Sequence, residues 1–190
     1  MNTNNSGKVM KYFSLLYSLF WITTFSIYSQ NLNSLSADSL ITLEFEAFDQ
    51  DMNNGWRKYQ NENNYLEAAK VIDIYLDKND DLLEYQKVVL NFHSGQNYAF
   101  ADQYELAISR LKSSIDTTGV MLDWNPYVKA TIAFLEHDLI GLKAMRDTMA
   151  TGSTNQNGII PNLNVVDGLI ANFDSSYTWA YRHRPKNEKK

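Results

Sequence analysis

No cysteine occurs anywhere in the 190 residues. Disulfides, thiolate zinc sites and a lipid-modified N-terminal cysteine are therefore excluded. Glycine is sparse as well: eight residues, dispersed, with no glycine-rich loop to cradle a phosphate. Proline occurs three times, so the sequence holds few obligatory helix breaks. Basic charge is the other shortage, 17 Lys and Arg against 22 Asp and Glu, for a net charge of −5. Residues 1–29 carry Lys8 and Lys11 and no acid, so without them 15 basic side chains face 22 acidic ones. A nucleic-acid binder usually shows a basic face, and this balance argues against one. Five of the basic residues (Arg182, Arg184, Lys186, Lys189, Lys190) sit in the last nine positions, which read as a solvated, frayed tail over 184–190.

What is present is ordinary globular composition, 44% hydrophobic and 21% charged. A chain of this length supports one domain, burying roughly 70% of the unfolded surface. The one long apolar run is 12–28, uncharged and preceded by Lys8 and Lys11. A positive start, an apolar stretch and Ser29 before Gln30 give residues 1–29 the form of a secretory signal peptide. Ile27 stands where such a site prefers a small residue, and the run approaches the length of a membrane span, so an uncleaved anchor is the alternative. Either reading exports the rest of the chain to the periplasm or the cell exterior, membrane-attached only if 12–28 is retained. Residues 30–37 read as a flexible lead-in to a helical domain over 38–183.

Within that domain the apolar spacing is helical. Leu40, Leu43, Ala47, Phe48, Met52, Trp56 and Tyr59 recur every three or four residues, which predicts one long helix over 38–62, loosened at Asn53–Gly55. Asn64 with Glu67, Asp81 with Glu84 and Asp102 with Glu105 have the form of capping boxes, marking three further helix starts. Helices are expected over 64–77, 81–100, 102–115, 126–136 and 138–149, with Pro126 in the first turn of its helix. An exposed loop over 150–161 and a shorter pair over 162–173 and 175–183 complete the reading.

Catalytic patterns are weak throughout. Glu136-His137-Asp138 are consecutive at a turn and point apart, unlike converging metal ligands. Asp77, Asn79 and Asp81 mimic the first positions of a calcium loop, but Leu82 replaces the needed glycine and Val88 the bidentate glutamate. On a helix the carboxylates of Asp49 and Asp51 would diverge by about 200°. His93-Ser94-Gly95 lacks the flanking glycines of a nucleophile elbow and falls inside a helix. No enzyme, cofactor or metal site is expected.

Three segments share one pattern. Tyr65, Ala68 and Ile72 match Tyr104, Ala107 and Leu111, with Gly141 and Met145 in a third copy. Nine residues before each small residue stand Tyr59, Tyr98 and Ile132. The small residue lets two helices approach, while the large ones fill the gap between hairpins. In this pattern the chain resembles tetratricopeptide-repeat (TPR) proteins. Its best unit has Gly95, Tyr98, Ala107 and Leu111 at the family's Gly, Tyr, Ala and Phe positions, and Ser114 at a small one. It departs at the family's Trp position, held by Asn91, and at the closing Pro, where Gly119 stands; Trp56 and Lys129 replace the Gly in the flanking units. The resemblance implies a right-handed α-solenoid of three hairpins plus a terminal helical pair. It also implies a groove lined by first-helix residues, here Asn53, Arg57, Gln60, Phe92, Gln96, Ala130 and Phe134. Their mixed polar and aromatic character suits a peptide or protein partner. The alternative is a small-molecule or glycan-binding subunit in which the aromatic residues, 13% of the chain, enclose a pocket.

Overall fold

The computed structural model describes residues 39–186, and every regular element among them is helical. A π-helical turn at Glu46–Gln50 is followed by α1 (Arg57–Asn61), α2 (Tyr65–Lys78), α3 (Glu84–Phe100) and α4 (Tyr104–Ser113). Then come α5 (Trp124–Leu135), α6 (Leu139–Ala150), α7 (Leu163–Ala171) and α8 (Tyr177–Arg182). The leader expected over 1–29 and the lead-in over 30–37 lie outside the described residues, as does the end of the expected tail. Arg184 and Pro185, inside that tail, are held: the Arg184 guanidinium donates to the Tyr181 carbonyl at 2.7 Å and Asn164 Nδ2 to the Pro185 carbonyl at 3.1 Å. Among the described residues no helix is long and apolar enough to cross a membrane.

Each helix packs on its neighbours in the chain; beyond those contacts, α5 meets α7 and α3 meets α8. Three of the connections have one geometry. Asn63, Asp102 and His137 adopt left-handed φ values of 59°, 56° and 58°. In each case the next residue donates five positions back, Asn64 to Tyr59, Gln103 to Tyr98 and Asp138 to Ala133, at 2.8, 2.9 and 2.8 Å. The left-handed residue itself donates three back, to Gln60, Ala99 and Phe134. This pair of bonds is the Schellman motif, which ends one helix by satisfying its last carbonyls. It turns the chain sharply into α2, α4 and α6. Five residues beyond each left-handed residue stand Ala68, Ala107 and Leu142, all fully buried. At the third turn Leu142, not Gly141, stands at the buried position that Ala68 and Ala107 hold at the other two, and Ala133, not Ile132, accepts the turn's hydrogen bond.

The helix starts depart from the capping boxes the sequence suggests. Asn64 caps α2 with no side-chain bond, and Gln103 rather than Asp102 precedes α4. The left-handed turns already fix these entries, so Asp102 instead accepts from the Tyr104 hydroxyl at 3.2 Å. At α3 the reciprocal bond comes from Gln86, whose Oε1 accepts from the Leu83 amide at 2.8 Å. Side-chain caps do form at Asp138, which accepts from the Gly141 amide, and at Ser176, which accepts from Trp179.

The long helix expected over 38–62 is broken. Asp51 is extended (ψ 117°) and Gly55 is left-handed (φ 52°). A Cβ on Gly55 would stand 1.9 Å from the Phe48 carbonyl oxygen, so the chain folds back over itself where only glycine fits. That fold buries Phe48, which stacks on Tyr75 of α2 at 3.7 Å, and carries Trp56 inward beside Asp49.

Candidate functional site

α3 divides the molecule. One face, with Ser94, Gly95 and Tyr98, meets its hairpin partners. Ser94 and Tyr98 hydroxyls donate to the Asp73 carboxylate of α2 at 2.5 and 2.8 Å, and Arg110 of α4 pairs with the same group at 3.0 Å. Burial, then the bond to Asp73, pushes the Tyr98 phenol far above its usual range. Gly95 lets α4 approach: a Cβ there would lie 2.8 Å from Leu111 Cγ and 3.0 Å from the Ala107 carbonyl.

The opposite face carries Phe92, His93, Gln96, Asn97 and Phe100, one helical stripe. At its first end stands Asp49, a fully buried carboxylate. Asp49 Oδ1 accepts from the Trp56 indole at 2.9 Å and lies 2.7 Å from His93 Nδ1; Oδ2 accepts from Gln50. Burial alone would raise the Asp49 pKa. The hydrogen bond and charge of His93, the Trp56 bond and the nearby Arg57 outweigh it and hold the carboxyl below its ordinary value. With Asp49 ionised, His93 carries its proton on Nδ1.

Arg57 completes this cluster. Its Nε donates to the Asp49 carbonyl oxygen at 2.7 Å, and its guanidinium carbon sits 4.3 Å over the Trp56 ring. Burial pulls the Arg57 pKa down and the Asp49 charge opposes that shift, leaving a cation at neutral pH. Among the described residues neither terminal guanidinium nitrogen makes a hydrogen bond. One turn along, Gln60 Nε2 donates to Asn97 Oδ1 at 3.3 Å.

The far end of the stripe is closed by α8. Tyr177, fully buried, lies 5.2 Å from the Phe100 ring and 6.0 Å from Phe134, and its hydroxyl accepts from Gln96 at 3.3 Å. The Tyr177 amide donates to Tyr104 and the Thr178 hydroxyl to the Phe100 carbonyl, both at 3.1 Å. Arg182 reaches Asn63 and Tyr65 at the first turn. Burial drives the Tyr127 and Tyr177 phenols well above their usual range, so both are neutral hydrogen-bonding groups at any ordinary pH.

The seven expected groove residues therefore fall into two sets. Asn53 is exposed, and Arg57 and Gln60 are half-buried at the Asp49 end. Phe92, Gln96, Ala130 and Phe134 are buried. Phe92 packs against Trp124 and Tyr127 at 4.9 and 5.2 Å, and Phe134 against Phe173 at 5.9 Å as well as Tyr177. An open groove along all seven does not exist in this arrangement, because Phe92 lies against Trp124 and Tyr127 while Tyr177 of α8 packs on Gln96 and Phe134. The other weak patterns also resolve: Asp49 is buried while Asp51 is exposed, and Glu136 pairs with Lys112. His137 stacks on Phe173 at 4.5 Å and Asp138 caps α6.

Asp49, Trp56, His93, Asn97 and Tyr177 were not legible as one group. Asp49 and His93 are separated by 44 residues with no shared local motif. Chemically, the carboxylate–imidazole pair orients His93, but the adjacent hydroxyl of Ser94 is directed to Asp73 on the other face of α3. What the cluster offers outward is a fixed, half-buried guanidinium.

Comparison with family models, curated proteins and solved structures finds no match to any of them.

Proposed function

We propose that this chain is an exported, non-catalytic binding module built from TPR-like hairpins stacked as a right-handed α-solenoid, taking a protein or peptide partner in the cell envelope. Three matching Schellman turns, each followed at the same interval by a buried residue, support the repeat reading. Residues 1–29 support export by sequence pattern alone. The observation that carries the binding role is Arg57. Its side chain is preorganised by the Asp49 carbonyl and the Trp56 ring, while its terminal nitrogens remain available to a bidentate acceptor. A carboxylate on the partner matches that fork.

The test is capture from envelope extract with the full chain as bait, against Arg57→Gln at equal melting temperature. A partner retained by the parent and lost by the variant supports the proposal. One held equally by both removes Arg57 from the interface, and no protein partner at all defeats the interaction reading.

A further inference from the structure

A second feature lies away from Arg57. A cavity of about 270 Å³ opens between the start of α5, the end of α6 and the segment 153–162. Its walls include Trp124, Tyr127, Met149 and Ile160, and its polar edge includes Asp123 and Thr154.

The walls are held in place independently of any occupant. Trp124 Nε1 donates to the Ser114 carbonyl at 2.9 Å, and the indole packs edge-on against Phe92. Asp123 Oδ2 accepts from the Ser153 amide at 2.9 Å, which pins the loop to the start of α5. Within the loop, Asn155 accepts from the Asn157 and Ile159 amides at 2.9 and 3.1 Å, and its own amide donates to the Ile159 carbonyl. A shaped site with fixed aromatic walls and few polar groups is the usual anatomy of a small-molecule pocket.

Size and polarity narrow the ligand. An apolar cavity of about 150 Å³ accommodates benzene, so this one takes a ring system of about ten non-hydrogen atoms. The carboxylate of Asp123 is exposed at the edge, which favours a ligand that donates a hydrogen bond there and disfavours an acid. Trp124 and Met149 offer a π face and a polarisable thioether to an aromatic body. We propose that this cavity binds a neutral bicyclic aromatic compound whose N–H or O–H donates to Asp123, a binding site separate from the Arg57 cluster.

Indole is the probe, with N-methylindole lacking the donor and indole-3-acetate carrying an acid. Calorimetric titration of the full chain should show one saturable indole site, with at least tenfold weaker binding of both analogues. Asp123→Asn keeps a residue tolerant of the left-handed backbone at 123 (φ 62°) and should weaken indole about tenfold, the loss expected for a hydrogen bond to a charged acceptor. Thr154→Phe, on the exposed edge, should block the cavity. Arg57→Gln should leave the titration unchanged, which keeps this site distinct from the partner-binding reading. Absence of saturable indole binding overturns the proposal. So does binding that is equal for N-methylindole and unaffected by both cavity variants, since that describes surface adsorption.

Discussion

Asp49 and His93 meet at 2.7 Å across 44 residues of chain, the carboxylate fully buried and the imidazole mostly so. That contact ties the irregular segment before α1 to the middle of α3 and sets the floor beneath Arg57. Removing His93 leaves the buried, ionised Asp49 carboxylate short of a hydrogen-bond donor. His93→Ala should destabilise the fold by about 1.5–3 kcal/mol near neutral pH, the range for a hydrogen bond to a charged group. Chemical denaturation of parent and variant measures it; a difference below 0.5 kcal/mol, about the scatter of an inert surface change, contradicts the assignment.

The same pair predicts a pH dependence. The Asp49 pKa is lowered in the folded state, so its contribution is fully present above the unfolded value of about 3.9 and is lost as pH falls through the folded value. The stability gap between parent and Asp49→Asn should therefore be widest at pH 6–7 and narrow below about pH 4. A gap that is constant with pH would mean that Asp49 contributes by shape alone.

Gly95 tests the closest helix approach. A Cβ would lie 2.8 Å from Leu111 Cγ, with backbone at 3.0 Å, so Gly95→Ala should cost about 1–3 kcal/mol despite alanine's better helix propensity. Ala107→Leu crowds the same contact from α4 and should cost a similar amount, about 1–3 kcal/mol. Thermal melts matching the parent for both variants would disprove this packing.

The register of the third turn makes a contrasting pair. Leu142 is fully buried, and Leu142→Ala should cost about 2–5 kcal/mol through the cavity it leaves. Gly141 lies one residue off that position, and a Cβ there meets chiefly the Asp138 side chain. Gly141→Ala should be the milder of the two. The reverse order in urea titrations would restore the register suggested by the sequence.

Much of the architecture was readable from residue spacing. The periodicity of Tyr65 to Lys78 and Tyr104 to Ser113 placed α2 and α4 to within a few residues, because each buries a stripe with period near 3.6. The first helix was misread because Leu40 to Tyr59 keep helical spacing while Gly55 reverses the chain, a tertiary contact with Phe48 that spacing does not register. The capping boxes were misread because left-handed residues at 63 and 102 satisfy the turns through the backbone. Of the residues expected to line a groove, Arg57 and Gln60 are half-buried, whereas Gln96 and Phe134 are buried. Their covering helix arrives from Tyr177, 81 residues beyond Gln96, and local pattern carries no information about that docking.

The most direct test of the binding role is site-specific photo-crosslinking in intact cells. A crosslinker at Asn53, exposed and four residues before Arg57 in the chain, is compared with one at Ile140, which is 85% exposed on α6. The account predicts a discrete adduct from position 53 that disappears in the Arg57→Gln background, with none from position 140. Adducts from position 140 alone, or an adduct at 53 that persists without Arg57, would contradict it.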